Sequence, residues 1–208
     1  MIVGRGALDA AAAGNTQTVE ATGSATSSAA SFTVGITTLT ANAVIVLGFT
    51  SNSGSLSTAP TATGAGSLTF TVGSNAVQSG VGYYYALAPT AGAYTITVTP
   101  AFAAFSTAIV ISVTNSSSAL FDGTVQLAGS DPISITTTNA NDTAFVVYKM
   151  GGTSDPTTGS GGFTQVAASG SFMYFGYRIL SATGTYTPTM STGAGDANGA
   201  LIHALKQG

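Results

Sequence analysis

Ile36-Thr37-Thr38-Leu39-Thr40-Ala41-Asn42 returns 99 residues later as Ile135-Thr136-Thr137-Thr138-Asn139-Ala140-Asn141. Each copy leads into a densely apolar run, Val44–Phe49 in the first case and Ala144–Tyr148 in the second. Each run has the length of a strand and falls far short of the roughly 18 apolar residues that a membrane-spanning helix needs. A second pair repeats at an offset of 92: Tyr85-Ala86-Leu87-Ala88-Pro89-Thr90-Ala91-Gly92-Ala93-Tyr94-Thr95 matches Tyr177-Arg178-Ile179-Leu180-Ser181-Ala182-Thr183-Gly184-Thr185-Tyr186-Thr187. Each of these ends in a further apolar run, Ala108–Val113 and Ala200–Leu205. The two offsets differ by 7, which loop-length changes absorb. The chain is an internal duplication, with pseudo-repeats of about 16–114 and 119–206 behind an N-terminal arm, residues 1–15.

Short β-branched and aromatic runs between Gly, Asn, Ser and Pro punctuation are the pattern of an all-β sandwich or barrel. In the first repeat strands are predicted over 17–21, 30–36, 43–49, 67–72, 82–87, 93–99 and 107–114. In the second they are predicted over 123–127, 133–137, 143–149, 162–166, 172–180, 184–190 and 200–205. Alternation is clearest in Tyr94-Thr95-Ile96-Thr97-Val98-Thr99, where Tyr94, Ile96 and Val98 share one face and the threonines the other. The small residues of 23–30 read as a polar loop, and Gly92-Ala93-Tyr94 and Gly184-Thr185-Tyr186 as turn glycines followed by inward aromatic anchors. Two architectures fit a duplication. Two tandem immunoglobulin-like sandwiches would use 115–121 as a linker. One jelly-roll-like β-sandwich, the preferred reading over 16–208, would interleave both halves around one core.

The chain has 208 residues, of which only 5 % are charged, with a net charge of −3. An average soluble domain carries about 25 %. A basic footprint for nucleic acid is missing, and the absence of cysteine rules out disulfides and thiolate metal sites. The 101 residues from Ala21 to Phe121 include no charged side chain. Sandwich proteins normally guard exposed strand edges with lysine, proline or inward charges. Here the edges are expected to be covered, either by partners in an assembly or by short strands and loops. Neither a membrane span nor a secretory leader is read in the chain.

The segments ALDAAAAGN (7–15), the ITT-x-x-AN strand entries, YYYALAPTAGAYTITV (83–98) and YRILSATGTYTPTM with ALIHALK (177–190 and 200–206) resemble a diffuse family of β-sandwich proteins. Its members are of about this length and are encoded in phages and bacterial genomes. Many of them carry a tryptophan before the last strand, where this chain reads Gly195-Asp196-Ala197-Asn198-Gly199. The resemblance implies a jelly-roll-like fold and a virion or surface role, and supplies no catalytic residues.

Residues that carry chemistry are scarce. A nucleophilic triad needs a histidine oriented by a carboxylate. His203 is the only histidine; it reads as a structural residue on the last strand, with Ile111 as its repeat counterpart. Asp122, Asp131, Asp142, Asp155 and Asp196 read as turn residues bonding local backbone. Calcium, the most plausible metal for such loops, lacks a ligand-spaced loop here. No cofactor and no enzymatic activity are expected. The expected function is that of a capsid decoration protein on a phage head, bound to the major capsid protein or other virion subunits and forming a homo-oligomer. Candidate interface residues are Arg5 and Leu8 on the arm, Tyr83 and Tyr84, and the Phe172/Tyr174 face of the strand at 172–180, whose other face carries Phe175 and Tyr177. The cations Lys149, Arg178 and Lys206 read as solvated strand ends able to pair with a neighbour. The alternative is a tail, fibre or surface module that recognises host glycans through Tyr83, Tyr84 and the glycine-rich excursion at 151–163.

Overall fold

A computed structural model describes residues 16–52, 54–76, 80–129, 132–150, 158–159, 161–166, 173–188, 190–191 and 197–208. The first half forms β1 (Val19–Ser27), β2 (Phe32–Thr38), β3 (Ala43–Ser51), β4 (Thr61–Gly64), β5 (Thr71–Ala76), β6 (Val81–Ala88), β7 (Gly92–Val98) and β8 (Ser106–Val113). The second forms β9 (Ser116–Phe121), β10 (Gln126–Ala128), β11 (Ile135–Thr137), β12 (Thr143–Met150), β13 (Thr158–Gly159), β14 (Thr164–Val166), β15 (Met173–Ile179), β16 (Gly184–Tyr186), β17 (Met190–Ser191) and β18 (Ala197–Gln207). Among the described residues there is no helix. The protein is an all-β sandwich.

Strand pairing follows the duplication. The first half makes a sheet of order β1-β8-β3-β6-β5, covered by a smaller sheet β2-β7-β4. The second makes β10-β18-β12-β15-β14, with β9 also paired to β18, covered by the pairs β11-β16 and β13-β17. In both large sheets the outermost early strand lies beside the last strand of its half, the jelly-roll arrangement. Every named pairing is antiparallel and stays inside one half. The halves therefore do not interleave around one core. Nor are they beads on a linker, because residues 116–121 form β9 and the large sheets pack face to face.

The reason lies in β3 and its counterpart β12. A strand covered on one face alternates apolar and polar; one covered on both is apolar throughout. In β3, Ile45, Leu47 and Phe49 enter the first half's own core with Val34, Ile36, Tyr94 and Ile96. Val44 and Val46 point the other way and meet Phe145, Val147, Phe175 and Leu201 of the second half. In β12, Ala144, Val146 and Tyr148 enter a third core with Ile135, Tyr174 and Ile202. Three apolar layers thus alternate with the sheets. Gly48 is required by the middle one: a Cβ there would lie 2.6 Å from the Phe175 ring and 2.9 Å from a Val147 methyl.

The repeated motifs mark equivalent turns. Asn42 and Asn141 both have positive φ, 61° and 64°, a conformation that asparagine tolerates better than most residues. Their N–H groups donate to Ala88 O and Leu180 O, each at 2.7 Å; the donors are offset by 99 residues and the acceptors by 92. Gly92 and Gly184 take φ of 143° and 152°, as turn glycines must. The following tyrosines act as corner anchors: Tyr94 Oη donates to Thr90 O at 2.7 Å and Tyr186 Oη to Ala182 O.

Several sequence expectations need correction. Residues 23–27 are not loop but the second half of β1, whose Gly23 runs against the Gly35 backbone. The strand predicted over 67–72 lies at 71–76, and β4 was not predicted. Near the C-terminus the strand extends over Ala197–Gln207, well beyond 200–205. The N-terminal arm and most of the 151–163 excursion lie outside the described residues.

Candidate functional site

Polar side chains meet inside the layer between the large sheets and at two turns. Tyr83 of β6 and His203 of β18 project into that layer from opposite halves. Tyr83 Oη lies 2.6 Å from His203 Nδ1, and His203 Nε2 lies 3.3 Å from Gly123 O. A carbonyl only accepts, so Nε2 carries the hydrogen and Nδ1 accepts from the tyrosine hydroxyl. Phe121 stacks on the imidazole at 4.4 Å, and Phe145 meets Tyr83 edge-on at 5.0 Å. Burial lowers the His203 pKa, against the Gly123 hydrogen bond and the Asp122 charge, which favour the imidazolium. Burial, reinforced by Tyr85, raises that of Tyr83. Both groups are held neutral.

Glu20 and Asp122, the acids that bound the uncharged stretch, perform the same task in the two halves. Glu20 Oε1 accepts the N–H of Leu39 at 2.9 Å and of Thr40 at 3.4 Å, and the Ser112 hydroxyl at 2.9 Å; Oε2 accepts the Thr40 hydroxyl at 2.9 Å. Asp122 Oδ2 accepts the N–H of Thr138 at 2.5 Å and of Asn139 at 3.0 Å, and Oδ1 the Thr138 hydroxyl at 2.7 Å. Thr138 and Asn139 are the 99-offset counterparts of Leu39 and Thr40. Each acid therefore closes the turn between the short-sheet strand and the doubly buried strand. Burial opposes the Asp122 charge, but hydrogen bonds from Thr138, Asn139 and the Asp142 carboxyl outweigh it and lower its pKa to about 2.

Two of the cations are also engaged internally. Lys149 Nζ donates across the halves to Ser51 O at 3.1 Å, and burial lowers its pKa. The Arg178 guanidinium donates to Gly161 O and lies 5.1 Å from the centre of the Tyr186 ring. These two side chains are not free strand ends.

The sequence-predicted interface residues fare unevenly. Tyr83, Tyr84 and Tyr174 are at most 4 % exposed, and this corrects their reading as contact residues. The cause is the extra sheet layer, since β15 buries Tyr174 in the second half's core and Phe175 in the central layer. Arg5, Leu8 and Phe172 lie outside the described residues, as do Asp131, Asp155 and Asp196. His203 is 6 % exposed and bonded through both ring nitrogens, as a structural histidine should be. Sequence reading missed the Glu20 and Asp122 turn locks; the signal was the near-equal spacing of these acids from the repeated ITT-x-x-AN motifs.

Two open clefts lie among the described residues. One, of about 410 Å³, lies between Asn42, Leu87, the hydroxyl run Ser116–Ser118 and Leu120. The other, of about 440 Å³, lies where β1 crosses the short sheet near Gly35, Thr37 and Tyr94. Large apolar side chains stand outside the core at Leu39, Val72, Leu87, Phe102 and Leu127, with Phe102 73 % exposed. Among the described residues no group of three or more His, Cys, Asp or Glu side chains is placed to hold a metal. Comparisons with models of protein families, with curated proteins and with solved structures find no match to this chain.

Proposed function

We propose that this protein is a non-enzymatic structural protein of a phage particle, a decoration protein that oligomerises on the head and binds the major capsid protein or another virion subunit. The observation that carries this reading is the edge strand β1. It runs for nine residues, Val19–Ser27, and among the described residues it is paired only to β8. Its one charge, Glu20, is spent on the Leu39–Thr40 turn. An edge of this length without lysine or proline is a template for pairing with another chain. The scattered exposed Leu, Val and Phe residues add apolar area that a partner would cover.

The mechanism is mechanical. A rigid, layered sandwich that binds only the assembled shell stabilises that shell by mass action. Uncharged, hydroxyl-rich strands suit the role because they dock without desolvating charges. The glycan-binding alternative loses its stacking residues, since Tyr83 and Tyr84 are interior.

The test is cosedimentation of purified protein with empty capsids, paired with heat challenge of particles lacking it. Saturable binding and a lowered inactivation temperature support the proposal. A soluble monomer without affinity for capsids, and particles of undiminished heat resistance, overturn it.

A further inference from the structure

The C-terminal strand ends where three other segments converge. Asp122 directly follows β9, and its N–H donates to Ala204 O at 3.1 Å. Asp142 directly precedes β12, and its Oδ1 accepts the Gln207 N–H at 2.8 Å. The Gln17 side chain reaches the same strand end and donates to Lys206 O at 3.0 Å.

The two carboxyl groups face each other closely enough for each to act on the other's proton affinity and are 5 % and 0 % exposed. Two ionised carboxylates have no hydrogen to share and repel, so one of the pair keeps its proton. The surrounding donors decide which. Asp122 already accepts three hydrogen bonds from Thr138 and Asn139, which favours its anion. Asp142 Oδ2 is buried with no donor facing it. That is the environment of an oxygen that holds a proton and gives it to Asp122.

We propose that the Asp142–Asp122 pair is a proton-held clamp on the end of β18, closed while Asp142 keeps its proton and loosened when that proton leaves. Among the described residues, the other titratable groups that face the pair are Lys206 and His203, both on β18. Lys206 favours ionised Asp142, as does the Gln207 N–H; burial, the hydrogen bond to Asp122 and its charge act against it. Burial is the largest of these, and the Asp142 pKa is pushed up to about 6. The first half has Ala43 at the corresponding position, so the clamp belongs to the second half. Loosening it frees the end of β18 and the start of β9 beside it, an uncharged edge apart from Lys206.

Carboxyl-carbon NMR of the full chain between pH 2 and 8 tests the pair directly. One aspartate titrating near pH 6, and its partner well below the usual range, is the expected result. Hydrogen exchange at Thr138, Asn139 and Gln207, corrected for the intrinsic pH dependence, reports the clamp. Protection falls by about tenfold or more between pH 5 and 7 in the wild type, one pKa unit being worth a factor of ten. It stays level in Asp142→Asn, which keeps a donor toward Asp122 without a titrating proton. Both carboxyls titrating between pH 3 and 5, or a parallel loss of protection in the variant, overturns the proposal.

Discussion

Tyr83 Oη stands 2.6 Å from His203 Nδ1 and joins the two halves inside a mostly apolar layer. The repeat offsets show how this contact sits in the duplication. The counterpart of Tyr83 is Phe175 and that of His203 is Ile111, and both counterparts lie in the same layer. One polar pair stands where the related positions are apolar. A buried acceptor that loses its only donor costs about 1–3 kcal/mol, whereas removing both partners can be nearly neutral. Tyr83→Phe alone should therefore destabilise the protein by about that amount. The double variant Tyr83→Phe/His203→Ile should recover most of the loss. Urea unfolding of the two variants checks this. A double variant as unstable as the sum of its singles would mean that the hydrogen bond is more than a matched pair.

Gly48 faces the Phe175 ring and Val147 too closely to accept a side chain. Overpacking of a filled core costs about 1–3 kcal/mol. Gly48→Ala should lower the urea midpoint by that equivalent. Combining it with Phe175→Leu, which trims the opposing ring, should cost less than the two changes summed. Strict additivity would show that the sheets yield at this point rather than press on each other.

These positions also show how far the sequence could be read. The strands and the duplication were legible because alternation and turn residues are local signals: Tyr94, Ile96 and Val98 announce their shared face, and Asn42 and Asn141 their turns. The third apolar layer was not legible. A strand buried on both sides gives an unbroken apolar run, and Val44–Phe49 reads the same whether its second cover comes from its own half or the other. The tyrosines of β6 were misplaced for that reason, because a single sandwich leaves one face of the strand for a partner. The run Ser116–Ser118 looked like a linker because serine carries no burial signal, yet backbone pairing to β18 needs none.

Glu20 supplies acceptors to two backbone N–H groups and two hydroxyls. Hydrogen bonds to charged groups each contribute about 1.5–3 kcal/mol, less where water competes. Glu20→Ala should cost about 2 kcal/mol and selectively raise hydrogen exchange at Leu39 and Thr40. Glu20→Gln, which keeps one acceptor oxygen, should retain part of the protection. If exchange rises uniformly through the first half instead, the acid supports the whole sheet rather than its turn.

His203 and Asp142 should impose opposite pH slopes on stability. The folded His203 pKa is lowered by burial, so around its unfolded value of about 6.5 the unfolded chain binds more protons. Its contribution is fully present above that value and is lost as the pH falls toward the folded pKa. Asp142 is raised from 3.8 to about 6, so between those values the folded chain holds the extra proton. Its contribution is fully present below the unfolded value and is lost as the pH rises to about 6. Linkage makes each slope the difference in protons bound by the two states. Subtracting the urea-derived stability of Asp142→Asn from that of the wild type should leave a curve that declines from about pH 4 to pH 6 and is flat above. The same subtraction with His203→Gln should leave a curve that rises toward pH 6.5 and then levels. Two difference curves of the same sign would mean that one of these groups is protonated otherwise than its hydrogen bonds require.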